Sequence, residues 1–379
     1  MTLLDKLTCL YKSGLALLLI PFFFACDDPS QLGLEVPDTD DRFEVEKIEF
    51  TLPVSTIRID SLRTGNSDYS TFGQFDDPVT GKVKATSYYV IGLSGGHLPE
   101  ESDVFIKAYI KLAVDDFKMT TALTDEEFNV HLAEDTLFSS AVYLGQNKIP
   151  YNPEPVFSAK FDFYPSSSLP DSIITIDLPE EFALKYYEKL YRAGTDTTGE
   201  ALDSLRNNFF FREPLVLVPG ENNQGLYNFD LSSEYTGIYF EMEPISGDTA
   251  YTYKYNFRKH YSYLERDYSN SLLSDLDSEY TPSENSGAYS YIDMLSGVYT
   301  KVSLEPLLEF IKNHGRITVN SSLIELTATA PSENYTSNIS DLNCFFIGND
   351  GKINGPEAYE SSAGNYAVLR DDSYFNGSA

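Results

Sequence analysis

The sequence predicts a mainly β fold, built of tandem β-sandwich (jelly-roll-like) domains with one or two short helices. The aromatic residues are 28 Tyr and 25 Phe, with no Trp, and both types favour pleated, half-buried strands. From residue 43 onward, short runs of β-branched and aromatic residues are separated by Gly, Pro, Asn and Asp. No stretch alternates strand with helix as a parallel sheet requires, so antiparallel sandwiches are expected.

Seven segments show the strand pattern most clearly. They are FEVEKIEF (43–50), KVKATSYYVIGL (82–93), VFIKAYIKLAV (104–114), SIITIDL (172–178), PLVLVP (214–219), GIYFEME (237–243) and RITVNSSLIELTA (316–328). The stretch TAYTYKYNF alternates strictly, so Tyr251, Tyr253, Tyr255 and Phe257 share one face of a strand. Such a Tyr-rich face, which continues to residue 263, either stacks sugar rings or packs in the sandwich core, and core is the commoner outcome.

Two segments carry helix start and stop signals. The segment 179–194, PEEFALKYYEKLYRAG, has a proline at its start, two glutamates in the first turn and a glycine at its end. The shorter segment 305–315, EPLLEFIKNHG, has the same order of signals. These are the one or two short helices that the fold class allows.

The chain is long enough for two domains, and an internal similarity suggests where they lie. Residues 87–114 and 298–328 both contain a strand, a proline-containing connection and a longer alternating stretch. We therefore expect one β-sandwich domain over 43–245 and a second over 246–379. Only 53 residues follow Leu326, so the second domain is expected to be incomplete, with an open sheet edge that invites pairing with another chain.

The N-terminus resembles a bacterial lipoprotein signal. Two lysines precede an unbroken apolar run of eleven residues, Gly14–Phe24, which is too short to span a bilayer and suits a signal peptide. Ala25 then supplies the small residue of a cleavage site. The resemblance implies a signal peptide over 1–25 and lipid attachment at Cys26, although Phe23 and Phe24 replace the usual Leu and small residue. An ordinary signal peptide cleaved nearby, or a buried apolar segment, is the alternative.

Residues 26–42 are rich in Asp and Pro, and we expect them to form an acidic tether between the anchor and the body. The formal net charge of the chain is −31, which repels nucleic acid and anionic headgroups and excludes both as partners. The expected partners are the lipid bilayer, through an acyl anchor at Cys26, and a surface protein or glycan.

No catalytic residue, cofactor site or metal site is predicted. The cysteines Cys9, Cys26 and Cys344 form no CxxC pair, and the four histidines are scattered singly, whereas metal ligands cluster at short spacings. Cys344 is most simply a small buried hydrophobe. Adjacent carboxylates do not indicate a catalytic pair here, because a chain with 58 acidic residues contains such pairs by chance.

Two short motifs match a functional pattern only in part. Gly92–Gly96, GLSGG, fits G-x-S-x-G with Ser94 as nucleophile, but it leads through a loop into another strand rather than into a helix, and His97 is too near to signal a triad. Residues 349–357, NDGKINGPE, resemble the second half of a calcium loop, whose first and third ligand positions would be Phe346 and Gly348. Plain loops are favoured at both places.

Several stretches together resemble a family of Bacteroidetes lipoproteins known only as a domain of unknown function. They are the cysteine followed by DDPSQLGLEV, the block 58–90 beginning RIDSLRTGNSDYSTFGQFDDP, and the block 290–326 beginning SYIDMLSGVYTKVSLEP. The strand order of the first domain also resembles jelly-roll modules called DNRLRE domains. Neither resemblance implies catalytic residues. Members usually extend further at the C-terminus, which implies a truncated chain or a last domain completed by a partner strand.

These observations predict a lipid-anchored, non-enzymatic cell-envelope protein with a binding, adhesion or assembly role. Exported surface lipoproteins of this phylum carry acidic residues after the cysteine, and Asp27 and Asp28 resemble that pattern. The resemblance implies an outer-membrane location facing the cell exterior, with the periplasmic face as the alternative. A glycan-binding or glycan-processing accessory lipoprotein is the alternative function.

Overall fold

The computed structural model describes residues 46–326 apart from short internal gaps. The gaps are 61, 66, 93–97, 120–122, 139–140, 165–171, 197, 205–212, 246–248, 315–316 and 319–322. The chain divides after Thr51 into two units. In the first unit, residues 46–51 are described and carry no regular secondary structure. All strands and helices given below belong to the second unit.

Thirteen strands and three helices lie within the described residues. The strands are β1 Val54–Arg58, β2 Tyr69–Asp77, β3 Gly81–Ile91, β4 Asp103–Lys118, β5 Leu123–Leu132, β6 Phe157–Phe163, β7 Ile173–Asp177, β8 Leu215–Pro219, β9 Leu226–Asp230, β10 Gly237–Pro244, β11 Tyr251–Tyr255, β12 Phe257–Asp267 and β13 Val298–Val302. The helices are α1 Glu180–Thr195, α2 Glu200–Ser204 and α3 Glu305–His314.

Eleven of the strands form one large antiparallel sheet. Its strand order is β11-β10-β4-β9-β2-β3-β8-β5-β6, with β12 also pairing β3 and β7 also pairing β4. Strands β1 and β13 make a separate antiparallel pair. The large sheet curls into a half-barrel, which brings its two ends face to face. The predicted mainly β, sandwich-like fold is therefore confirmed.

The main core lies inside this curl. Phe72 on β2 stacks on Phe128 on β5 with ring centroids 4.3 Å apart, although two strands separate β2 from β5 along the sheet. Strands β4, β7, β10 and β11 contribute apolar side chains from the other end, and α1 packs Ala183, Tyr186 and Leu190 against the same cluster. Each such fully buried large side chain stabilises the fold by about 1.5–3 kcal/mol.

A second, smaller cluster covers the outer face of β3, β8 and β12. Tyr88 on β3 and Tyr261 on β12 are both fully buried there, beneath a loop that spans residues 133–151. Successive strand residues point to opposite faces. This explains how β3 supplies Tyr89 to the main core and Tyr88 to the outer cluster.

Most of the predicted elements are found where the pattern placed them. Six predicted strands correspond to β3, β4, β7, β8, β10 and β11, and both predicted helices are present as α1 and α3. Two strand predictions are wrong for the residues that the structure describes. Residues 46–50 lie outside the strands and are mostly exposed. Residues 317–318 and 323–326 also lie outside the strands and are exposed, Leu323 to 90%. An alternating sequence forms a strand only where a partner accepts its backbone hydrogen bonds.

The predicted domain boundary near residue 245 falls between paired strands. Strand β11 pairs β10, and β12 pairs β3, so both extend the sheet of the first predicted domain. The last 53 residues of the second predicted domain, 327–379, lie outside the described residues. The division into 43–245 and 246–379 stays a prediction.

A turn-rich segment, residues 268–298, closes one end of the sheet. It is fastened by an ion pair between the half-buried Lys118 on β4 and the buried Asp293, whose Nζ and Oδ2 atoms are 2.7 Å apart. Thr80, at the β2–β3 turn, donates its hydroxyl to the same carboxylate at 2.8 Å. Three distant parts of the chain therefore meet at one carboxylate.

Candidate functional site

The residues singled out in the sequence fall mainly outside the described part of the chain. This holds for Cys26, Ser94, His97, Cys344 and the segment 349–357. Their predicted roles, lipid attachment at Cys26 above all, stay predictions.

The Tyr-rich face of β11 belongs to the core. Tyr255 is 1% exposed and packs in the main cluster, with Tyr251 and Tyr253 half-buried against it. The hydroxyls of Tyr251 and Tyr253 both donate to the carboxylate of Asp103, which is itself buried. Packing and hydrogen bonding engage this row, so it is not a surface on which sugar rings stack.

A small polar cavity opens where β12 begins, β9 ends and β2 begins. Its volume is about 270 Å³. We call it the β12 pocket, and its lining residues are Ser67, Asp68, Leu231, Ser232, Phe257, Arg258, Lys259 and His260. Three chain segments that are far apart in sequence thus meet around one cavity.

A β-bulge at Arg258 shapes this pocket. Phe257 pairs with Ile91 and Lys259 with Val90, so Arg258 is an extra residue on β12. A bulge of this kind shifts the alternation of faces and re-aims the side chains that follow it. Phe257 consequently lies on the main-core face together with His260, three residues later, instead of opposite to it.

The bulge also separates the two neighbouring cations. Lys259 pairs with Val90 on the outer-cluster face, where its ammonium donates to the Phe138 carbonyl and lies 5.2 Å from the centroid of the Tyr143 ring. Burial lowers the pKa of Lys259. Arg258 is exposed and is the cation that the pocket rim presents.

His260 is the buried titratable group of the pocket. It is 7% exposed, and its Nε2 atom has no hydrogen-bond partner among the described residues. Burial lowers its pKa below the ordinary value, and this outweighs the opposing effects of hydrogen bonds to the backbone of Tyr69 and Ser67 and of the Asp68 charge. The imidazole is therefore neutral at neutral pH.

The hydroxyl groups of the pocket are engaged in local turns. The Oγ atom of Ser67 accepts a hydrogen bond from the backbone N–H of Tyr69 at 3.1 Å. Ser232 donates its hydroxyl to the carboxylate of Asp230 at 2.7 Å. Among the described residues, neither serine hydroxyl is hydrogen-bonded to the imidazole of His260, and the Asp230 carboxylate holds Ser232 in a local turn, so the pocket contains no activated Ser–His pair. The arrangement suits the binding of a polar molecule.

A chain of buried hydroxyls holds the pocket wall behind His260. Tyr89 donates to Ser70 Oγ at 2.9 Å, and Ser70 Oγ lies 3.3 Å from Ser262 Oγ. The backbone N–H of Thr71 donates to Ser262 Oγ at 2.9 Å, and Ser87 donates to the Thr71 carbonyl at 2.6 Å. These bonds fix β2 against β3 and β12, so the pocket is held by rigid strands.

Other buried carboxylates serve the fold. Glu126 on β5 accepts hydrogen bonds from the backbone N–H groups of Gln224 and Gly225 and from the Tyr227 hydroxyl. Burial raises the pKa of Glu126 despite these bonds. Among the described residues, no group of three or more His, Cys, Asp or Glu side chains is arranged to hold a metal ion.

The fold and the pocket define a class of protein, a curled antiparallel β-sandwich with a small polar cavity at one end. Comparisons with protein-family models, with curated proteins and with solved structures find no match for this chain. The resemblance to Bacteroidetes lipoproteins therefore stays a prediction. Within the described ranges, no helix has both the length and the apolar character needed to cross a membrane.

The β12 pocket itself was not predicted from the sequence, which treated His260 as an ordinary single histidine. One local signal was present. Phe257 and Tyr261 enclose three consecutive basic residues, Arg258–His260, in a chain with only 27 Lys and Arg against 58 Asp and Glu. That run marks a place where strict alternation fails, and a failure of alternation inside a strand indicates a bulge.

Proposed function

We propose that this protein is a lipid-anchored cell-envelope protein of non-enzymatic type, held at the outer membrane and facing the cell exterior. Its body serves binding, adhesion or assembly there. The observation that carries the proposal is the apolar run Gly14–Phe24 followed by Ala25 and Cys26, which has the length and order of a lipoprotein signal.

The composition behind the cysteine supports a body held away from the membrane. The acidic tether 26–42 has 17 residues, and a chain of that length spans up to about 55 Å when extended. A net charge of −31 keeps an exposed body soluble and repels it from anionic headgroups. An acyl anchor supplies the membrane attachment that this charge opposes, and stable anchoring needs more than one acyl chain.

A binding role, rather than a catalytic one, agrees with the chemistry of the β12 pocket. The hydroxyls of Ser67 and Ser232 are engaged in turns. The neutral imidazole of His260 is hydrogen-bonded to the backbone of Ser67 and to neither of the two hydroxyls. Polar groups held on rigid strands suit recognition. The pocket offers the Asp68 carboxylate and the Arg258 guanidinium on exposed side chains.

Labelled palmitate should enter the wild-type chain and fail to enter Cys26→Ser, because the acyl groups are carried by that cysteine. The measurement is fluorography of the immunoprecipitated protein. Cys344→Ser is the matched control and should label like wild type. Equal labelling of Cys26→Ser and wild type would refute the anchor.

The orientation is tested on the same cells by protease shaving. We expect protease added to intact cells to digest the body of the wild-type protein while a periplasmic marker stays intact. Complete protection of the body would place it on the periplasmic side and contradict the proposed exterior orientation.

A glycan-binding accessory role is the second candidate, and the β12 pocket is the observation that favours it. Drug-sized ligands occupy pockets of about 300–1,000 Å³, so a cavity of about 270 Å³ suits something smaller, such as a single sugar residue. Asp68 and Arg258 offer an acceptor and donors for sugar hydroxyls.

This second role predicts that the full chain, purified in detergent, binds a polysaccharide on a glycan array. Asp68→Asn and Arg258→Gln should each weaken that binding at least about tenfold, which is about 1.4 kcal/mol. Both side chains are exposed, so the midpoint of thermal unfolding should stay unchanged. Asp125→Asn, in an exposed ion pair on β5, is the control. Binding that neither pocket variant affects would exclude the pocket as the glycan site.

A further inference from the structure

Helix α3, Glu305–His314, is amphipathic, yet none of its residues is buried. Its apolar stripe contains Leu307, Leu308 and Ile311, which share one face at helical spacing. Leu308 is 54% exposed and Ile311 is 36% exposed. The opposite face carries Glu305, Glu309 and Lys312. We call the stripe 307–311 the α3 face.

A short helix with an exposed apolar stripe is stable only when other apolar residues pack against that stripe. Helices shorter than about 12–15 residues are marginal in water on their own and are stabilised by packing an apolar face. Helix α3 has ten residues. It follows β13, whose first residue, Val298, is buried with Tyr268, Leu273 and Leu276 while the rest of the strand is half-buried. Helix α3 is therefore the element whose apolar face the described residues leave uncovered.

We propose that residues 342–347, LNCFFI, pack against the α3 face. Of the residues that follow 326, this stretch is the most apolar, with five of its six side chains nonpolar. Twenty-seven residues, 315–341, separate it from the end of α3. The helix itself is only about 15 Å long, so the connection is ample for the segment to return along it.

Two physical reasons favour a segment of the same chain over a second copy. A tethered segment acts at an effective concentration of about millimolar, far above that of a separate molecule. In addition, each copy carries a net charge of −31, so two copies repel one another. Docking of residues 342–347 covers the α3 face, where a partner chain would otherwise bind.

Cys344 lies inside the proposed segment and reports on its burial. The experiment uses the full-length chain with Cys9→Ser and Cys26→Ser, in detergent, so that Cys344 is the only thiol. Its reaction with a maleimide is expected to be at least about tenfold slower in native protein than in urea, because buried groups react through opening. A native rate equal to the denatured rate would overturn the proposal.

Substitutions on α3 identify what covers the thiol. Leu308→Glu should raise the native labelling rate at least about fivefold by opening the contact, whereas Lys312→Glu, on the polar face, should leave the rate unchanged. Leu308→Asn serves the same purpose if the glutamate variant fails to fold. Tyrosine fluorescence during urea unfolding checks that the large sandwich keeps its transition. A slow rate that the Leu308 variants leave unchanged would place Cys344 elsewhere.

Dilution separates the two possible occupants. Protection by the same chain is independent of protein concentration, so a hundredfold dilution should leave the labelling rate of Cys344 unchanged. A rate that rises on dilution would show that a second copy covers the α3 face, which would refute docking within one chain.

Discussion

Replacement of Tyr261 by alanine is expected to lower the free energy of unfolding by about 4 kcal/mol, the middle of the range for large aromatic-to-alanine changes in a core. Tyr261 is fully buried between two other tyrosines. Its ring stacks on Tyr88 at 4.5 Å and on Tyr143 at 4.7 Å. Alanine removes both stacking contacts and leaves a cavity beneath the loop 133–151.

The hydroxyl of Tyr261 contributes less than its ring. It accepts a hydrogen bond from the backbone N–H of Ile149 at 3.3 Å, while Tyr88 donates to the Ile149 carbonyl at 2.7 Å. Tyr261→Phe removes the bond from Ile149 and the hydrogen bond between the Tyr261 and Tyr88 hydroxyls, but keeps the shorter Tyr88–Ile149 bond. We therefore expect a loss of about 1–2 kcal/mol. The difference between the two variants therefore measures the packing of the ring.

Urea unfolding followed by far-UV circular dichroism measures both changes. Tyr164, which is 58% exposed, provides the control, because Tyr164→Ala should stay within about 0.5 kcal/mol of wild type. If Tyr261→Ala cost no more than Tyr164→Ala, the outer cluster would not be packed as described.

Asp293→Ala is expected to lower the free energy of unfolding by about 3 kcal/mol, because removing one partner of a buried ion pair leaves the other charge uncompensated. The side chain of Asp293 is 7% exposed and that of Lys118 is 21% exposed. Lys118 donates to Oδ2 of Asp293 at 2.7 Å, and the hydroxyls of Thr80 and Ser296 donate to the same oxygen. The substitution leaves three donors without their acceptor.

The same carboxylate makes stability depend on pH. Burial alone would raise the pKa of Asp293, but the Lys118 charge and the hydrogen bonds from Lys118, Ser296 and Thr80 outweigh burial and lower it. A folded-state pKa below the unfolded value, about 3.9, means that the stabilisation is complete above about pH 4. It is lost as the pH falls through the folded pKa, so the difference between wild type and Asp293→Ala should shrink there.

An exposed ion pair provides the matched control for Asp293. Asp125 and Lys160 lie 3.3 Å apart, with side chains 75% and 65% exposed, and such pairs contribute about 0–1 kcal/mol. Urea unfolding of Asp125→Asn and Asp293→Ala at pH 7 compares the two, and asparagine tolerates the positive φ of position 125. Equal losses would mean that the Lys118–Asp293 pair is solvated. Replacing Lys118 with Met in the Asp293→Ala background should restore part of the lost stability.

About half of the described elements, six of thirteen strands and two of three helices, were predicted from local patterns. Runs of β-branched and aromatic residues identified β3, β4, β7, β8, β10 and β11, and proline and glycine signals identified α1 and α3. These patterns work because strand faces and helix ends are decided by neighbouring residues. The predicted lipid attachment at Cys26 is likewise a purely local signal in the sequence.

The sequence pattern failed where a strand depends on a distant partner. Strands β5 and β6 were not predicted, although the Phe128 and Phe161 rings they carry are in contact in the core, with centroids 4.6 Å apart. The segments 43–50 and 316–328 were predicted as strands, yet their described residues form none. Alternation decides which side chains share a face, whereas pairing is decided by whether a partner strand is present.

By itself, therefore, the sequence determined the β class and two helices, and it predicts lipid attachment at Cys26. Only the tertiary structure decided the β12 pocket and the Lys118–Asp293 pair. The pocket needs a bulge at Arg258 and three distant segments, and the ion pair joins residues 175 positions apart. Contacts at such separations follow from how the whole sheet curls, and no local pattern of side chains encodes that curvature.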